Sequence, residues 1–146
     1  MKQDARTADV AFRLNSVAIH LVRRARQADR ALGIPPGQLS ALSVLVFGGD
    51  RTIAELAAAE QVKSPTMTRI VDGLERVGLA VRQPHPEDAR AVVVRATAKG
   101  RRLMDKGRQS RVAVIAALLD PMPAADLSAI ERAVSALTRS LATTQS

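Results

Sequence analysis

Apolar residues recur every three or four positions near both ends of the chain, which is the spacing of an amphipathic helix. Near the start, this stripe is formed by Val10, Leu14, Val17, Leu21 and Ala25. Near the end, spacings of 3, 4, 3 and 4 residues separate Leu127, Ile130, Val134, Leu137 and Leu141. The second stripe is a heptad seam of the kind that joins two helices. The first helix is expected to end at Gly33, and the polar residues 1–8 are expected to be frayed.

Two short helices joined by a tight turn are predicted in the middle of the chain. Thr52 and Glu55 form a capping box that opens the first, because each side chain satisfies a free backbone N–H of the other residue. Ser64 as N-cap and Pro65 at the first helical position open the second, which is expected to end at Gly78. Two helices joined by so short a link form a helix-turn-helix.

A short hairpin is predicted to follow the second helix. Residues 79–83 indicate one strand, and residues 90–96, with three consecutive valines, indicate the returning strand. Between them, residues 84–88 form a turn, because two prolines prevent regular pairing there. Thr97 then caps a long helix that is expected to run to Leu119.

The whole pattern predicts a mainly α fold with a small β-hairpin wing in a single domain. The winged helix-turn-helix lobe is expected at residues 34–100 and includes a short buried helix at 38–47. The flanking helices, at 9–32 and 101–143, carry more regular apolar seams than this lobe needs. We therefore expect them to interlock two chains as a homodimer. The alternative is that both seams pack inside one chain.

The charge balance points to a polyanionic partner. The chain has a net charge of +8 and a pI near 11.3. Residues 63–108 hold 11 Lys and Arg against 5 Asp and Glu, so +6 of the +8 lies in under a third of the length. The chain has no cysteine, which excludes disulfides and thiolate metal sites. It also lacks an apolar run of about 18 residues and a signal-peptide pattern, so we expect a cytoplasmic protein with no membrane association.

A helix followed by a basic hairpin fits duplex DNA. The helix can enter the major groove while the hairpin reaches the backbone or a minor groove. The start of the second helix can bind phosphate through backbone N–H groups, and Arg69 can donate two hydrogen bonds to guanine. Arg90, just past the turn, suits a narrow minor groove. The predicted DNA-binding residues are Ser64, Pro65, Thr66, Thr68, Arg69, Arg76, Arg82, Asp88 and Arg90.

These cations also have purely structural interpretations. The two arginines on the helix could form a solvated face or pair with Asp72 and Glu75. Arg90 could pair with Asp88 and shape the wing. Three further cations at the start of the following helix could contact phosphates: Lys99, Arg101 and Arg102.

No catalytic or metal-binding arrangement is recognisable in the sequence. His20 and His85 lie on different predicted elements, and no cluster has metal-ligand spacing. No glycine-rich phosphate loop or Ser/His/Asp arrangement occurs either. We therefore expect no enzyme activity, no metal and no cofactor. Two other functions remain open, namely a winged-helix module for protein interaction and a DNA-packaging protein without sequence preference.

Four segments together resemble MarR-family winged-helix transcriptional regulators, over nearly the whole chain. They are the helix at 64–74, LERVGL at 74–79, PEDAR at 86–90 and ATAKG at 96–100. The family has an acidic-x-Arg wing followed by Leu-Thr-x-x-Gly. Here Ala96 stands where leucine is usual, and His85 stands where the family often has an acidic residue.

The resemblance implies a sequence-specific DNA-binding regulator that acts as a homodimer on a pseudo-palindromic operator. Half-site centres should lie about 10 bp apart. It also implies repression relieved by a small aromatic or phenolic ligand, bound between the dimerisation helices and the DNA-binding lobe. The cysteine-based oxidation sensing of this family is excluded, because the chain has no cysteine. The residues expected to line the ligand site are Phe12, His20, Arg23 and Phe47.

Overall fold

The computed structural model describes residues 2–88 and 90–144, and these confirm a mainly α fold with a two-stranded hairpin. The helices of the described residues are α1 (Lys2–Asp29), α2 (Pro36–Gly48), α3 (Ile53–Ala59), α4 (Ser64–Arg76), α5 (Ala98–Leu119) and α6 (Ala124–Thr144). A 3₁₀ turn at Arg30–Leu32 follows α1 and ends at Gly33, which has a φ of 72°. Strands β1 (Ala80–Pro84) and β2 (Val92–Ala96) pair antiparallel, with Ala80 opposite Ala96.

The helix α1 begins earlier than the sequence pattern predicted. It starts at Lys2, so the expectation that residues 1–8 are frayed was wrong for the described part of that segment. The segment lacks apolar periodicity, yet it contains good helix formers, and Asp4 lies at the positive end of the helix dipole. Within the described residues no single helix is long and apolar enough to span a bilayer. The segments Asp4–Leu32 and Pro36–Gly48 reach that hydropathy only together, across a 95° bend.

Two of the predicted helix caps are confirmed. The N–H of Glu55 donates to Oγ1 of Thr52 at 3.2 Å, and the N–H of Thr52 donates to Oε2 of Glu55 at 2.8 Å. The carboxylate of Glu55 accepts hydrogen bonds first from the backbone N–H of Thr52 and then from the Thr52 hydroxyl, at 3.0 Å, and these two bonds lower the pKa of Glu55 below its usual value. At the start of α5, Oγ1 of Thr97 accepts the N–H of Gly100 at 3.1 Å.

The predicted cap of α4 was wrong by one residue. The carbonyl of Lys63 accepts the N–H groups of Thr66 at 3.0 Å and Met67 at 3.1 Å. Lys63 is therefore the N-cap, Ser64 is the first helical residue and Pro65 is the second. The position of the cap is decided by which carbonyl accepts the first helical hydrogen bonds.

The hydrophobic core lies inside the winged helix-turn-helix lobe and is built from α2, α3, α4, the hairpin and the start of α5, which contributes Met104. The loop before α3 adds a bridge to the hairpin, because Arg51 and Val94 exchange two backbone hydrogen bonds, of 3.2 and 2.7 Å. This bridge fixes the wing to the same core as α4. The largest fully buried side chains are Leu42, Leu56, Met67, Leu74, Val71 and Val94.

The terminal helices leave most of their apolar seams uncovered. On α1, Val10 and Val17 are 53% and 54% exposed, although this helix packs against α5. On α6, Val134 and Leu141 are 56% and 66% exposed. The interpretation that both seams pack inside one chain was therefore wrong.

Candidate nucleic-acid interface

The helix α4 buries one face and presents the other to solvent. Met67, Val71 and Leu74 are fully buried, and they hold the helix against α2, α3 and β1. The spacing of these three residues leaves the opposite side of the helix outside the core. Six predicted DNA-binding residues are exposed there or in the first turn: Ser64, Pro65, Thr66, Thr68, Arg69 and Arg76.

The start of α4 is not capped by a side chain. No side chain of the described residues accepts a hydrogen bond from this turn, because the N-cap is Lys63. Pro65 has no N–H, and the N–H groups of Thr66 and Met67 already donate to the carbonyl of Lys63. The N–H of Ser64 is therefore the donor that this turn can offer to a phosphate oxygen, and the helix dipole favours the same site. One turn later, the hydroxyl of Thr68 donates to the carbonyl of Ser64 at 3.0 Å. The proton of this hydroxyl is therefore used within the helix, and its oxygen can accept a hydrogen bond from an external partner.

The carboxylates of α4 pair with the wing and not with the arginines of the helix. Arg82 on β1 donates through Nη2 to Oδ1 of Asp72 at 2.8 Å and through Nη1 to Oε2 of Glu75. The structural interpretation of Arg69 and Arg76 as partners of these carboxylates was therefore wrong. Within the described residues neither arginine has an ion pair.

The same contacts change the interpretation of Arg82, which was predicted to bind DNA. The chain turns at Gly78, where φ is 72°, so that β1 runs back beside α4 and carries Arg82 to the two carboxylates. Burial opposes the charge of Arg82, but the hydrogen bond to Asp72 and the charges of both carboxylates raise its pKa above the usual value. Its guanidinium is occupied within the lobe.

Asp88, which was also predicted to contact DNA, has a structural contact within the wing. Its Oδ1 accepts the backbone N–H of Arg90 at 3.0 Å, and its carbonyl accepts the N–H of Ala91 at 2.9 Å. These bonds shape the wing tip as an Asx turn. Arg90 does contact Asp88, as the structural alternative proposed, but through its backbone N–H and not through its guanidinium. Its side chain is exposed and has no ion pair within the described residues.

Lys99, one of the cations that could contact phosphates, closes the end of α4 in the structure. Its Nζ donates to the carbonyl of Val77 at 2.7 Å, and the hydroxyl of Thr97 donates to the carbonyl of Gly78 at 2.7 Å. Cations and hydroxyls commonly satisfy the last carbonyls of a helix in this way. A second wing contact that the sequence did not indicate joins Arg95 to Asp50 at 2.6 Å.

The cations between residues 63 and 102 therefore fall into two groups. Arg82, Arg95 and Lys99 are held by carboxylates or a carbonyl of the lobe itself. The remaining cations are exposed and have no ion pair within the part of the chain that the structure describes. They are Lys63, Arg69, Arg76, Arg90, Arg101 and Arg102.

A separate cleft of about 790 Å³ lies between α1, α2 and α5. Arg111 of α5 reaches across it to Asp29 of α1, with Nη1 2.5 Å from Oδ1. The apolar part of its wall is formed by Ile34, Leu39 and Met104. The other lining residues are Arg26, Arg30, Gly33, Pro36, Ser40 and Ser43.

The residues predicted for a ligand site do not line this cleft. Phe12 and Phe47 are 75% and 70% exposed, and His20 and Arg23 are exposed on α1. The cleft lies at the C-terminal end of α1, where the chain turns into α2. The sequence signal that could have indicated it is the pair of arginines at 26 and 30 just before the Pro35–Pro36 turn.

Comparison with known proteins agrees with this architecture. Residues 32–91 match the model of the MarR family. An uncharacterized HTH-type transcriptional regulator of Mycobacterium leprae, ML2140, is 35% identical over 104 residues, which are 71% of this chain and 73% of that protein. The transcriptional regulator Tm0710 of Thermotoga maritima superposes with a TM-score of 0.82 at 26% identity and covers 90% of this chain and 92% of its own. A MepR mutant of S. aureus bound to an oligodeoxyribonucleotide gives 0.72 at 19% identity, over 90% and 97%.

Proposed function

Because this chain belongs to the MarR family of transcriptional regulators, we propose that it binds a pseudo-palindromic DNA duplex as a homodimer and represses transcription until a small ligand releases it. The observation that carries this proposal is the outward face of α4, with unpaired arginines on it and an uncapped helix start beside it. The action is one of binding, without a catalytic step. A regulator of transcription acts where the DNA is, so the proposal includes the cytoplasmic location expected from the sequence.

The homodimer is supported by the uncovered seams of α1 and α6. A helix with a heptad seam left in water loses the favourable burial of that seam, which is about 25 cal/mol per Å² of apolar surface. Two chains that interlock these helices cover the seams of both. The shared twofold axis then places the two α4 helices in successive major grooves, which predicts half-site centres about 10 bp apart.

The DNA contacts that we propose are a reduced form of the sequence prediction. The first turn of α4 would bind phosphate, Arg69 would read base edges, and Arg90 would enter the minor groove. Arg82 and Asp88 are left out, because their side chains are occupied within the lobe. The other proposed contacts are Ser64, Pro65, Thr66, Thr68 and Arg76.

Selection of bound duplexes from a random pool tests this function. The proposal expects one enriched motif with twofold symmetry. An interaction module would enrich no duplex, and a packaging protein would bind a shuffled duplex as tightly as its own.

Two variants then test the proposed roles on the selected duplex. Arg69→Ala should lose discrimination against base changes in the half-site, each worth about 1–3 kcal/mol in an intact contact. Arg90→Ala should weaken binding to all sequences and flatten the salt dependence by about one unit per phosphate contact removed. Arg13→Ala, which removes one exposed charge from α1, is the matched control and should change neither.

The effector response is supported by the position of the cleft between a dimerisation helix and the lobe. A ligand there would contact α1, α2 and α5 together, so its binding can shift the lobes relative to the dimer axis. Arginines beside apolar side chains suit a small aromatic acid or phenol. Benzoate and phenol are suitable probes, measured by DNA release and by the rise in melting temperature. The double substitution Arg26→Ala with Arg30→Ala should abolish both the DNA release and the rise in melting temperature. If neither probe has an effect on the unmodified protein, the proposed effector response is contradicted.

A further inference from the structure

One guanidinium connects the wing to the helix proposed to read DNA. Arg82 on β1 contacts Asp72 and Glu75 on α4 through its two terminal nitrogens. Its backbone N–H also donates to Oε1 of Glu75 at 2.7 Å. The side chains of Arg82 and Glu75 are each 29% exposed, whereas that of Asp72 is 48% exposed. Within the described residues, the carboxylate of Glu75 thus has both the backbone N–H and the guanidinium of Arg82 as donors, but that of Asp72 has only the guanidinium.

The position of Asp72 makes this contact important for the face of α4. Asp72 follows Arg69 by three residues and precedes Arg76 by four, and both spacings bring side chains together on a helix surface. The structure shows Asp72 bound to Arg82 at 2.8 Å instead. Both arginines of the helix are thereby left without an ion pair within the described residues.

We infer that Arg82 is a positioning residue for DNA recognition, which holds Asp72 away from Arg69 and Arg76 and fixes the wing to α4. This role rests on the proposed function, in which α4 contacts DNA. Arginine suits it because its planar fork can donate to two carboxylates at once, which the single ammonium of lysine does not reproduce. Arg82 itself does not contact the duplex.

Removing the side chain has a consequence that the geometry defines. In Arg82→Ala, the backbone N–H of that position still holds Glu75, so Asp72 is the carboxylate that is released. The released carboxylate pairs with a neighbouring arginine of α4 and withdraws it from DNA. The ratio of affinities for the selected duplex and a shuffled duplex should fall on the order of tenfold, the size of one lost base contact.

A second substitution separates this role from a direct phosphate contact. Asp72→Asn added to Arg82→Ala removes the released charge, and it should restore the affinity ratio to within about threefold of the unmodified protein. A direct phosphate contact of Arg82 predicts a different result. The salt slope would then fall by about one unit in Arg82→Ala, the affinity ratio would stay unchanged, and Asp72→Asn would restore nothing.

Two further variants control for charge and for folding. Arg95→Ala removes the same charge from the same hairpin, but its partner is Asp50 before α3, so the affinity ratio should be unchanged. Arg82→Met keeps the apolar stem of the side chain and gives a second test if Arg82→Ala does not fold. Methionine donates to neither carboxylate, so the affinity ratio should again fall, whereas a phosphate contact predicts a lower salt slope at an unchanged ratio.

The outcomes distinguish this inference from the proposed function. If the unmodified protein selects no duplex, the proposed function fails and the role of Arg82 fails with it. If the protein selects a symmetric motif and Arg82→Ala behaves like Arg95→Ala, only the role of Arg82 is overturned. The inference is supported by a loss of discrimination in Arg82→Ala or Arg82→Met, with restoration when Asp72→Asn is added.

Discussion

Replacing Gly100 by alanine tests how tightly α5 is joined to the start of the wing. A methyl group at Gly100 would lie 2.3 Å from the carbonyl oxygen of Leu79 and 3.0 Å from Cδ1 of Leu42. The oxygen is backbone and also accepts the N–H of Thr97 at 3.0 Å, so it has no free direction in which to move. The substitution must therefore push α5 away from β1 or break that hydrogen bond.

The expected loss of unfolding free energy in Gly100→Ala is the sum of three contributions. Overpacking of a well-packed site costs about 1–3 kcal/mol, and loss of the hydrogen bond to Thr97 adds about 1 kcal/mol. The better helix propensity of alanine offsets up to about 1 kcal/mol. The net destabilisation is about 1–3 kcal/mol, which for a chain of 146 residues lowers the melting temperature by about 3–10 °C.

Thermal denaturation followed by circular dichroism measures the effect, with all proteins at one concentration because a dimer melts in a concentration-dependent way. Gly37→Ala is the matched control, since a methyl group there meets only Cδ1 of Ile70, at 3.6 Å. It lies in the first turn of α2, and the variant should melt at or slightly above the unmodified protein. A melting temperature of Gly100→Ala at or above that of Gly37→Ala would refute the described approach of α5 to Leu79.

Three further predictions concern stability and assembly. Thr52→Ala should cost about 1 kcal/mol in urea denaturation, because the first turn of α3 loses its cap, and an unchanged midpoint would contradict this. Because the pKa of Glu55 is lowered in the folded protein, its carboxylate contributes to the stability of the fold at neutral pH, and this contribution is lost as the pH falls through that pKa. Glu55→Gln should therefore lose less stability on acidification, and equal losses would argue against the capping box. Leu137→Glu, on the exposed seam of α6, should raise the dimer dissociation constant by at least about tenfold in sedimentation velocity, and an unchanged constant would mean that this seam is not the interface.

Features that depend on neighbouring residues were predictable from the sequence. The capping box at Thr52 and the cap at Thr97 need only residues three positions apart, and both are present. The seams of the terminal helices follow from periodicity, and their exposure agrees with the expectation that one chain does not cover them. The hairpin followed from consecutive β-branched residues between turn-forming residues, since β-branched side chains pack well on a pleated, half-buried surface.

Features that depend on how the elements meet were not predictable in this way. Arg82 and Arg69 are both arginines and cannot be told apart by residue type, and only the turn at Gly78 brings Arg82 beside Asp72. Lys99 likewise has its partner on another element, at the end of α4. The cleft is formed by residues of three helices, of which α5 is far from α1 and α2 in the sequence, so the sequence pattern did not indicate which residues line it. The sequence therefore indicated which side chains carry charge, but not which of them already have a hydrogen-bond or ion-pair partner within the lobe.

The central claim is that two chains joined by α1 and α6 place two α4 helices on one duplex. Sedimentation equilibrium of the protein with a selected duplex measures this most directly, because each chain adds 15.6 kDa to the complex. We expect a complex of one duplex and two chains, and a dimer when DNA is absent. A complex that contains a single chain on a full symmetric site, or a protein that remains a protomer at all concentrations tested, would contradict it.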